Sequence, residues 1–173
     1  MRSVTLDAAK TVVHAFVSSR VDYCNSVFSL VCAEHLHPLQ SVLNAAARVI
    51  SRRRKYDHIS DVLRDQLHWL PVVQRIDYKL CSLVYKCLHH AGPQYLSELC
   101  QSVSDNPSRG NLRSATHMDL VEPRTKTRTY GPRSFAACGP KTWNSLPLGV
   151  RDLTLTKEQF SRVLKTELFR RAY

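Results

Sequence analysis

The sequence predicts a mainly α-helical fold, with a helical bundle over residues 1–100 and a smaller irregular α+β region with short strands over residues 101–173. Apolar residues recur every three or four positions through the first hundred residues, which is the spacing of one face of an α-helix. The stretch that follows, S-D-N-P-S-R-G-N, has the composition of a loop. Helical spacing returns near the end of the chain. The sequence leaves open whether the two regions share a core.

Two apolar stripes predict the first two long helices. The first stripe consists of Leu6, Ala9, Val13, Phe16 and Val17. Turn-prone residues then interrupt the pattern in S-R-V-D-Y-C-N-S. The second stripe consists of Leu36, Leu39, Leu43, Ala46, Val49 and Ile50. A short element is expected to follow, with Ser60 as its N-cap.

A third long helix is predicted between Pro71 and Gly92. Pro71 suits the first helical position, where its missing N–H costs nothing. Gly92 and Pro93 end the helix, because glycine can adopt the left-handed cap and proline cannot continue the helix. The expected buried stripe is Val72, Val73, Ile76, Leu80, Leu83, Val84, Cys87 and Leu88.

The region beyond residue 101 mixes short elements of both kinds. M-D-L-V and T-K-T-R-T-Y have the alternation of strands, and two short helices are predicted to open at Pro132 and Pro140. The last helix begins with a capping box, Thr156 followed three residues later by Gln159. Its expected buried stripe is Phe160, Val163, Leu164 and Leu168.

Positive charge is the main compositional feature. The chain has 173 residues, with 25 Lys and Arg against 14 Asp and Glu, and a formal net charge of +11. This excess favours polyanionic partners, because cations attract phosphates over a long range and release their counterions. A basic surface that only keeps the protein soluble is the alternative. No stretch approaches the roughly 20 apolar residues of a membrane span, and no signal peptide is evident, so we expect an intracellular protein without a membrane partner.

The sequence predicts no cofactor, no metal site and no catalytic residues. Two sets of residues could be drawn as zinc ligands: Cys24, Cys32, His35 and His37, or Cys81, Cys87, His89 and His90. Neither set has the short Cys-x-x-Cys spacing of structural zinc, and the six cysteines are expected to be reduced core residues. The acidic residues are scattered, mostly beside Arg or Lys, and no glycine-rich phosphate loop is present. We therefore expect no enzymatic activity.

The first candidate binding cluster is R-V-I-S-R-R-R-K at residues 48–55, where five cations and no acid lie at the end of the second predicted helix. One or two cations would suit the negative end of the helix dipole, but five exceed that need. A nuclear-localisation signal is a further interpretation. Phosphate contacts are expected from the last four residues of the cluster: Arg52, Arg53, Arg54 and Lys55.

The second candidate cluster lies in E-P-R-T-K-T-R-T-Y-G-P-R. If this stretch is an extended strand, Arg124, Lys126 and Arg128 project from one face at about 7 Å spacing, close to that of successive phosphates. Tyr130 lies at the end of this row, where its ring could stack on a base, and Arg133 adds a further cation. An exposed edge strand protected by its charges is the alternative interpretation.

Several blocks of sequence carry a family resemblance. The longest are L-N-A-A-A-R-V-I, L-H-W-L-P-V-V-Q-R-I-D-Y-K-L, Y-G-P-R-S-F-A-A-C-G-P-K-T-W-N-S-L-P and the final F-S-R-V-L-K-T-E-L-F-R-R-A-Y. The shorter blocks are S-S-R-V-D-Y-C-N-S, Y-D-H-I and L-V-Y-K-C-L. In order, and over nearly the whole chain, they resemble the C-terminal region of LINE-type (non-LTR) retrotransposon reverse transcriptases.

The resemblance implies that the chain corresponds to the thumb of such a polymerase and the segment beyond it. A thumb packs helices against the template–primer duplex and holds the duplex by its backbone, so residues 1–100 would form a thumb-like bundle and residues 101–173 a basic C-terminal region. Polymerisation in this family needs paired aspartates that hold two divalent ions. The sequence contains no Asp-Asp pair, nor the Cys-His knuckle of some family members.

The resemblance also implies the partners. We expect a truncated or separately encoded piece of a reverse transcriptase, which starts at an internal methionine and ends at the natural terminus of the element. Its partners would be RNA, DNA or an RNA–DNA hybrid, together with the fingers and palm that the sequence lacks. The alternative is a helical protein–protein interaction module derived from a retroelement, which docks through an apolar face.

Overall fold

Seven α-helices and three further helical segments make up most of the part of the chain that the structure describes. The structure is a computed structural model, and it describes residues 5–105 and 117–173. The helices are α1 Leu6–Val13, α2 Ser19–Asp22, α3 Ala33–Ser51, α4 Val72–Leu88, α5 Gln94–Ser97, α6 Phe135–Asn144 and α7 Lys157–Ala172. Between them lie two π-helices and a 3-10 turn, His14–Ser18, Val62–Gln66 and Asn25–Phe28. The predicted mainly α fold is confirmed.

The first predicted stripe is only partly buried. Val13 is buried and Val17 is half-buried, but Phe16 is 74% exposed. The cause is the π-helix His14–Ser18, which continues α1 with a wider turn and rotates the following side chains. Ser18 takes the inward position instead. The prediction that Phe16 lies on the buried face is therefore wrong. The same prediction is wrong for Leu6, which is 53% exposed at the first position of α1.

α3 follows its predicted stripe with one exception. Leu36, Leu43 and Ile50 are buried, whereas Val49 is 67% exposed. Val49 is rotated by about 100° around the helix from Ile50, which places it outside the buried stripe. The expected N-cap at Ser60 is not formed either, because Ser60 already lies in a helical turn.

α4 is the central helix of the fold. Ile76, Leu80 and Val84, which belong to its predicted stripe, are buried, whereas Val73 of the same stripe is 46% exposed. Pro71 is the N-cap, whereas the prediction placed it at the first helical position, which Val72 occupies.

The end of α4 differs from the prediction. The left-handed conformation expected for Gly92 is adopted by His90, with φ of 54°, because the helix already ends at Leu88. Gly92 is needed for a different reason. A Cβ at this position would lie 2.9 Å from Cys87 Sγ, so the chain returns past the end of α4 too closely for a larger residue.

The predicted short strands do not form in the described residues. M-D-L-V contributes only an isolated antiparallel bridge between Ser102 and Leu120. Both backbone hydrogen-bonding groups of Leu120 are bonded to Asn144 of α6, whose side chain accepts from the Leu120 N–H at 2.8 Å and donates to its carbonyl at 2.9 Å. The Asn144 side chain thus makes the hydrogen bonds that the backbone of a neighbouring strand would make.

The T-K-T-R-T-Y stretch is irregular, and the strand predicted for it is wrong. The chain folds back on itself here, because the Gly131 N–H donates to Thr127 Oγ1 at 2.7 Å. A Cβ on Gly131 would lie 2.7 Å from Thr125 Cβ, so the turn depends on this glycine. Local threonine contacts compete with a strand in the way that hydroxyl side chains commonly do.

One helix, α6, replaces the two that were predicted to open at Pro132 and Pro140. Pro132 lies in the turn before the helix, and Pro140 lies inside it with a fully buried ring. Gly139 lets α6 approach α4 closely, since a Cβ there would lie 3.3 Å from Val84 Cγ2. Burial against α4 offsets the hydrogen bond that Pro140 cannot donate.

The two predicted regions share a hydrophobic core. Tyr85 of α4 stacks on Phe160 of α7, with ring centroids 4.2 Å apart, and its hydroxyl donates to the Leu155 carbonyl at 2.5 Å. Trp143 of α6 is fully buried in the same cluster. The capping box of α7 is confirmed: the Thr156 N–H donates to Gln159 Oε1, and the Gln159 N–H donates to Thr156 Oγ1.

Candidate nucleic-acid interface

The cluster at residues 48–55 contains cations that bond to the following loop and cations that are exposed to solvent. Arg48 donates from Nε and Nη2 to the Asp57 carbonyl, at 3.2 and 3.1 Å. Arg53 forms an ion pair with Asp61 and also donates to the His58 carbonyl at 2.7 Å. Arg48 and Arg53 therefore hold the loop that follows α3.

The backbone turns sharply within this cluster. Arg52 is exposed and caps α3 in the left-handed conformation, with φ of 56°. The next N–H, that of Arg53, donates to the Arg48 carbonyl at 3.0 Å, which is a Schellman-type helix end. The turn directs the two following cations away from the helix, and both Arg54 and Lys55 are exposed. Lys55 Nζ lies 5.3 Å from the centroid of the Tyr56 ring.

The second cluster is exposed although it is not a strand. Arg124, Lys126 and Arg128 lie on the irregular stretch before Gly131, and all three are exposed. None of them forms an ion pair with a residue in the two described ranges. The regular 7 Å spacing that an extended strand would give is not retained. What remains of the prediction is a loop with three solvent-facing cations.

Tyr130 and Arg133 end this row. The Tyr130 ring is 78% exposed, so its face is accessible for stacking. Arg133 is half-buried next to α6, and its carbonyl is within 3.7 Å of Cys138 Sγ. The structure thus brings the aromatic ring and the three preceding cations onto one loop, and places Arg133 at its base.

A third set of cations was missed by the sequence reasoning. Exposed lysine and arginine side chains of α4 and α7 line neighbouring depressions on one face of the molecule: Lys79, Lys86, Lys157, Arg162 and Lys165. One of these depressions, with a volume of about 230 Å³, lies between α4 and α7. We refer to these five residues as the α4–α7 basic face.

No sequence signal marks this face as a unit. Its cations are separated by apolar residues and by up to 86 positions, from Lys79 to Lys165. Each helix shows a polar side that is ordinary for an amphipathic helix. The charges come together only because α4 and α7 pack through Tyr85 and Phe160.

Five of the 14 acidic residues form ion pairs within the described ranges, each of them with arginine. In the described part of the chain, all ion pairs use arginine, with the partner pairs Arg53–Asp61, Arg64–Asp65, Arg75–Asp22, Arg151–Asp119, Arg170–Glu167 and Arg171–Glu167. No ion pair there uses a lysine. All eight lysines of the sequence lie in the described ranges, and all eight are exposed.

The two sets of Cys and His residues that could be drawn as zinc ligands do not form a metal site in the described part of the chain. Cys24 and Cys32 are exposed, whereas Cys81 and Cys87 are buried in the core. Within the described ranges, no three His, Cys, Asp or Glu residues are placed to hold a metal ion. Burial raises the pKa of the Cys81 thiol, and burial together with Cys87 raises the pKa of Cys100 to about 12. These thiols are protonated at neutral pH and are poor nucleophiles.

Comparison of the chain with models of known protein families, with curated protein sequences and with solved structures found no match. In the portion of the chain that the structure describes, none of the helices is both long enough and apolar enough to span a bilayer.

Proposed function

We propose that this chain binds nucleic acid without sequence specificity, as a non-catalytic part of a LINE-type reverse transcriptase. The observation that carries the proposal is that arginine and lysine differ in their ion pairing. Every ion pair of the described residues uses an arginine, and every lysine is exposed and outside these pairs. A surface that retains its cations in this way attracts phosphate.

The chemistry of the exposed groups supports binding to a phosphate backbone. Lysine is a compact point charge on a flexible stem, which suits contact with phosphate at many orientations rather than recognition of one base edge. Three groups of neighbouring exposed cations are present: Arg54 and Lys55 after α3, the loop with Arg124, Lys126 and Arg128, and the α4–α7 basic face. Contacts of this kind position a protein on a strand and carry no sequence information.

A salt titration with an RNA–DNA hybrid tests the proposal. Contact of about five cations with phosphate predicts a slope of about −3.5 to −4.5 in a plot of log affinity against log salt concentration. Two hybrids of unrelated sequence should give the same affinity within error. A flat salt dependence, or no binding at low salt, would favour the second candidate function.

The second candidate is a protein-docking module, and an exposed apolar face supports it. Leu6 and Val12 of α1 are each 53% exposed, and Val49 of α3 is 67% exposed. They line an apolar cavity of about 360 Å³ between these helices. The expected occupant is the fingers and palm region that the family resemblance implies, since apolar surface of this kind commonly marks a docking site.

A single substitution separates the two functions. Val12→Ser should reduce self-association or binding to a separately expressed palm, and should leave the affinity for RNA–DNA hybrid unchanged. Ala8→Ser, also exposed on α1 but outside the lining of the cavity, is the matched control. Equal effects of both substitutions on palm binding would exclude this cavity as the docking site.

A further inference from the structure

A cavity with polar groups in its lining lies where three distant parts of the chain meet. It has a volume of about 410 Å³. Its lining comes from residues between 14 and 25, from residues between 68 and 79, and from Lys165 of α7. The volume falls within the range of about 300–1,000 Å³ that is typical of small-molecule sites.

The lining contains buried polar atoms without hydrogen-bond partners. Ser18 is 2% exposed and Asn25 is 3% exposed. Within residues 5–105 and 117–173, Ser18 Oγ, Asn25 Oδ1 and Asp22 Oδ1 have no hydrogen-bond partner. All three residues line the same cavity.

Such an arrangement is costly for a purely structural site. Each buried polar atom that gives up water without gaining a partner destabilises the fold. Two of the three atoms are oxygens that can only accept a hydrogen bond, and the Ser18 hydroxyl can either accept or donate. The group that complements them must therefore present hydrogen-bond donors.

Cations and an aromatic ring lie beside these acceptors. Lys79 and Lys165 are exposed lining residues, so an anion could reach both from solvent. Trp69 also lines the cavity, and the Arg75 guanidinium lies 5.6 Å from the centroid of its ring. Arg75 in turn pairs with Asp22 Oδ2 at 2.7 Å, which fixes the carboxylate and leaves its Oδ1 without a partner.

We propose that this cavity receives one nucleotide, with its phosphate near Lys79 and Lys165 and its sugar hydroxyl or base amino groups donating to Asp22, Asn25 and Ser18. The inference rests on the proposed function and gives it a defined contact. A nucleotide carries an anion, a ring that stacks on an aromatic or guanidinium plane, and hydrogen-bond donors on one unit. A simple inorganic anion would satisfy the lysines and leave the acceptors unpaired.

Fluorescence of Trp69 provides the binding assay. The chain has two tryptophans, and the other, Trp143, is fully buried in the core. We expect adenosine monophosphate or a short oligoadenylate to quench the emission in a saturable manner, and inorganic phosphate to leave it unchanged. Quenching by both ligands assigns the site to a free nucleotide, and quenching by the oligoadenylate alone assigns it to a unit of a strand. Absence of quenching by either overturns the inference.

Two substitutions test the polar and the cationic parts of the site. Ser18→Ala should weaken nucleotide binding by about fivefold, the value of one lost hydrogen bond. The double substitution of Lys79 and Lys165 to Gln should weaken it by at least about tenfold, because two charge-assisted contacts are lost. Lys141→Gln is the matched control, since Lys141 is an exposed lysine of α6 outside the cavity.

Thermal unfolding distinguishes a ligand site from a structural one. Because Ser18 Oγ has no hydrogen-bond partner among the described residues, Ser18→Ala should leave the unfolding temperature unchanged or raise it while it weakens nucleotide binding. A lower unfolding temperature with unchanged nucleotide affinity would overturn the inference.

The outcome for the proposed function is read separately, from the salt titration with RNA–DNA hybrid. Normal hybrid binding without quenching of Trp69 removes the nucleotide site alone. Quenching that saturates normally in a protein that shows no hybrid binding removes the proposed function and leaves the nucleotide site.

Discussion

Arg53 and Asp61 form a two-bonded ion pair, with Arg53 Nη1 3.1 Å from Asp61 Oδ1 and Nη2 2.7 Å from Oδ2. The bond from Arg53 lowers the pKa of the Asp61 carboxyl. This pair takes one arginine of the R-R-R-K sequence out of the exposed set and uses it to hold the loop after α3. Arg54 and Lys55 then remain as the exposed cations that follow it.

Release of Arg53 should strengthen nucleic-acid binding. Asp61→Asn removes the carboxylate that neutralises the guanidinium, so we expect tighter binding of RNA–DNA hybrid and a salt slope steeper by up to about 0.9. The stability cost should be small, because both side chains are partly exposed. Glu98→Gln is the control, since it removes the same charge from an exposed acid that bonds Gln94 rather than an arginine. Equal effects of both changes would show that only net charge matters.

The cationic loop before Gly131 should contribute to affinity independently of sequence. Substitution of Arg124, Lys126 and Arg128 by Ala is expected to weaken binding to all hybrids similarly. The salt slope should become shallower by about 2 to 3, because three phosphate contacts are lost.

The control for this triple change alters the same number of exposed cations at other positions: Lys10, Arg20 and Lys141. Filter binding at several salt concentrations measures both proteins. If the control loses as much affinity and slope as the loop variant, the loop is not a specific contact and serves only as a charged surface segment.

The core that joins the two predicted regions should unfold as one unit. Phe160 is 1% exposed and stacks on Tyr85, so Phe160→Ala should lower the free energy of unfolding by about 3–5 kcal/mol. Leu148→Ala, at a position 53% exposed, should change it by less than about 0.5 kcal/mol. Urea unfolding followed by both near- and far-UV circular dichroism should show coincident transitions, and two separated transitions would contradict a shared core.

A fall in pH should remove the contribution of the Glu167 carboxylate to the free energy of unfolding. Bonds from Arg170 and Arg171 lower the pKa of this carboxyl from 4.5 to about 2. Because the pKa is depressed in the folded protein, the stabilisation is fully present above about pH 4.5 and is lost as the pH falls towards 2. The difference in urea midpoint between the wild type and Glu167→Gln should therefore shrink over this range. A constant difference across it would mean that Glu167 acts through packing.

The end of α4 offers a test of backbone strain. His90 has φ of 54°, a conformation that costs a residue with a Cβ about 1–2 kcal/mol, so His90→Gly should raise the free energy of unfolding by about 1 kcal/mol. His89→Gly is the matched control. Its φ of −93° needs no glycine, and its ring lies 4.1 Å from that of Tyr85, so this change should be destabilising. Stabilisation by both would point to an effect on the unfolded chain.

Local patterns predicted some elements well. The stripe of α4 and the capping box of α7 are determined within a few residues of sequence, by helical period and by side chains three positions apart. Other local predictions were wrong because a nearby group competed with the pattern. The π-helix after α1 places Phe16 on the exposed side. The Gly131 N–H donates to Thr127 Oγ1 rather than to a neighbouring strand. The Leu120 N–H likewise donates to the side chain of Asn144.

The candidate sites divide in the same way. The two cationic clusters were visible because their residues are adjacent in sequence, although the pairing of Arg53 with Asp61 was not. The sequence predicted neither the α4–α7 basic face nor the cavity beside Ser18. Their residues are far apart in the chain and are ordinary for the polar side of an amphipathic helix.

The sequence by itself determined the helical class, the central helix, the excess of positive charge and the two contiguous clusters, because each depends on neighbours along the chain. Only the tertiary structure decided which cations are neutralised, which helices place their lysines on one face, and which buried polar atoms lack partners. These properties depend on distances between residues that are remote in sequence, and packing of α4 against α6 and α7 fixes those distances.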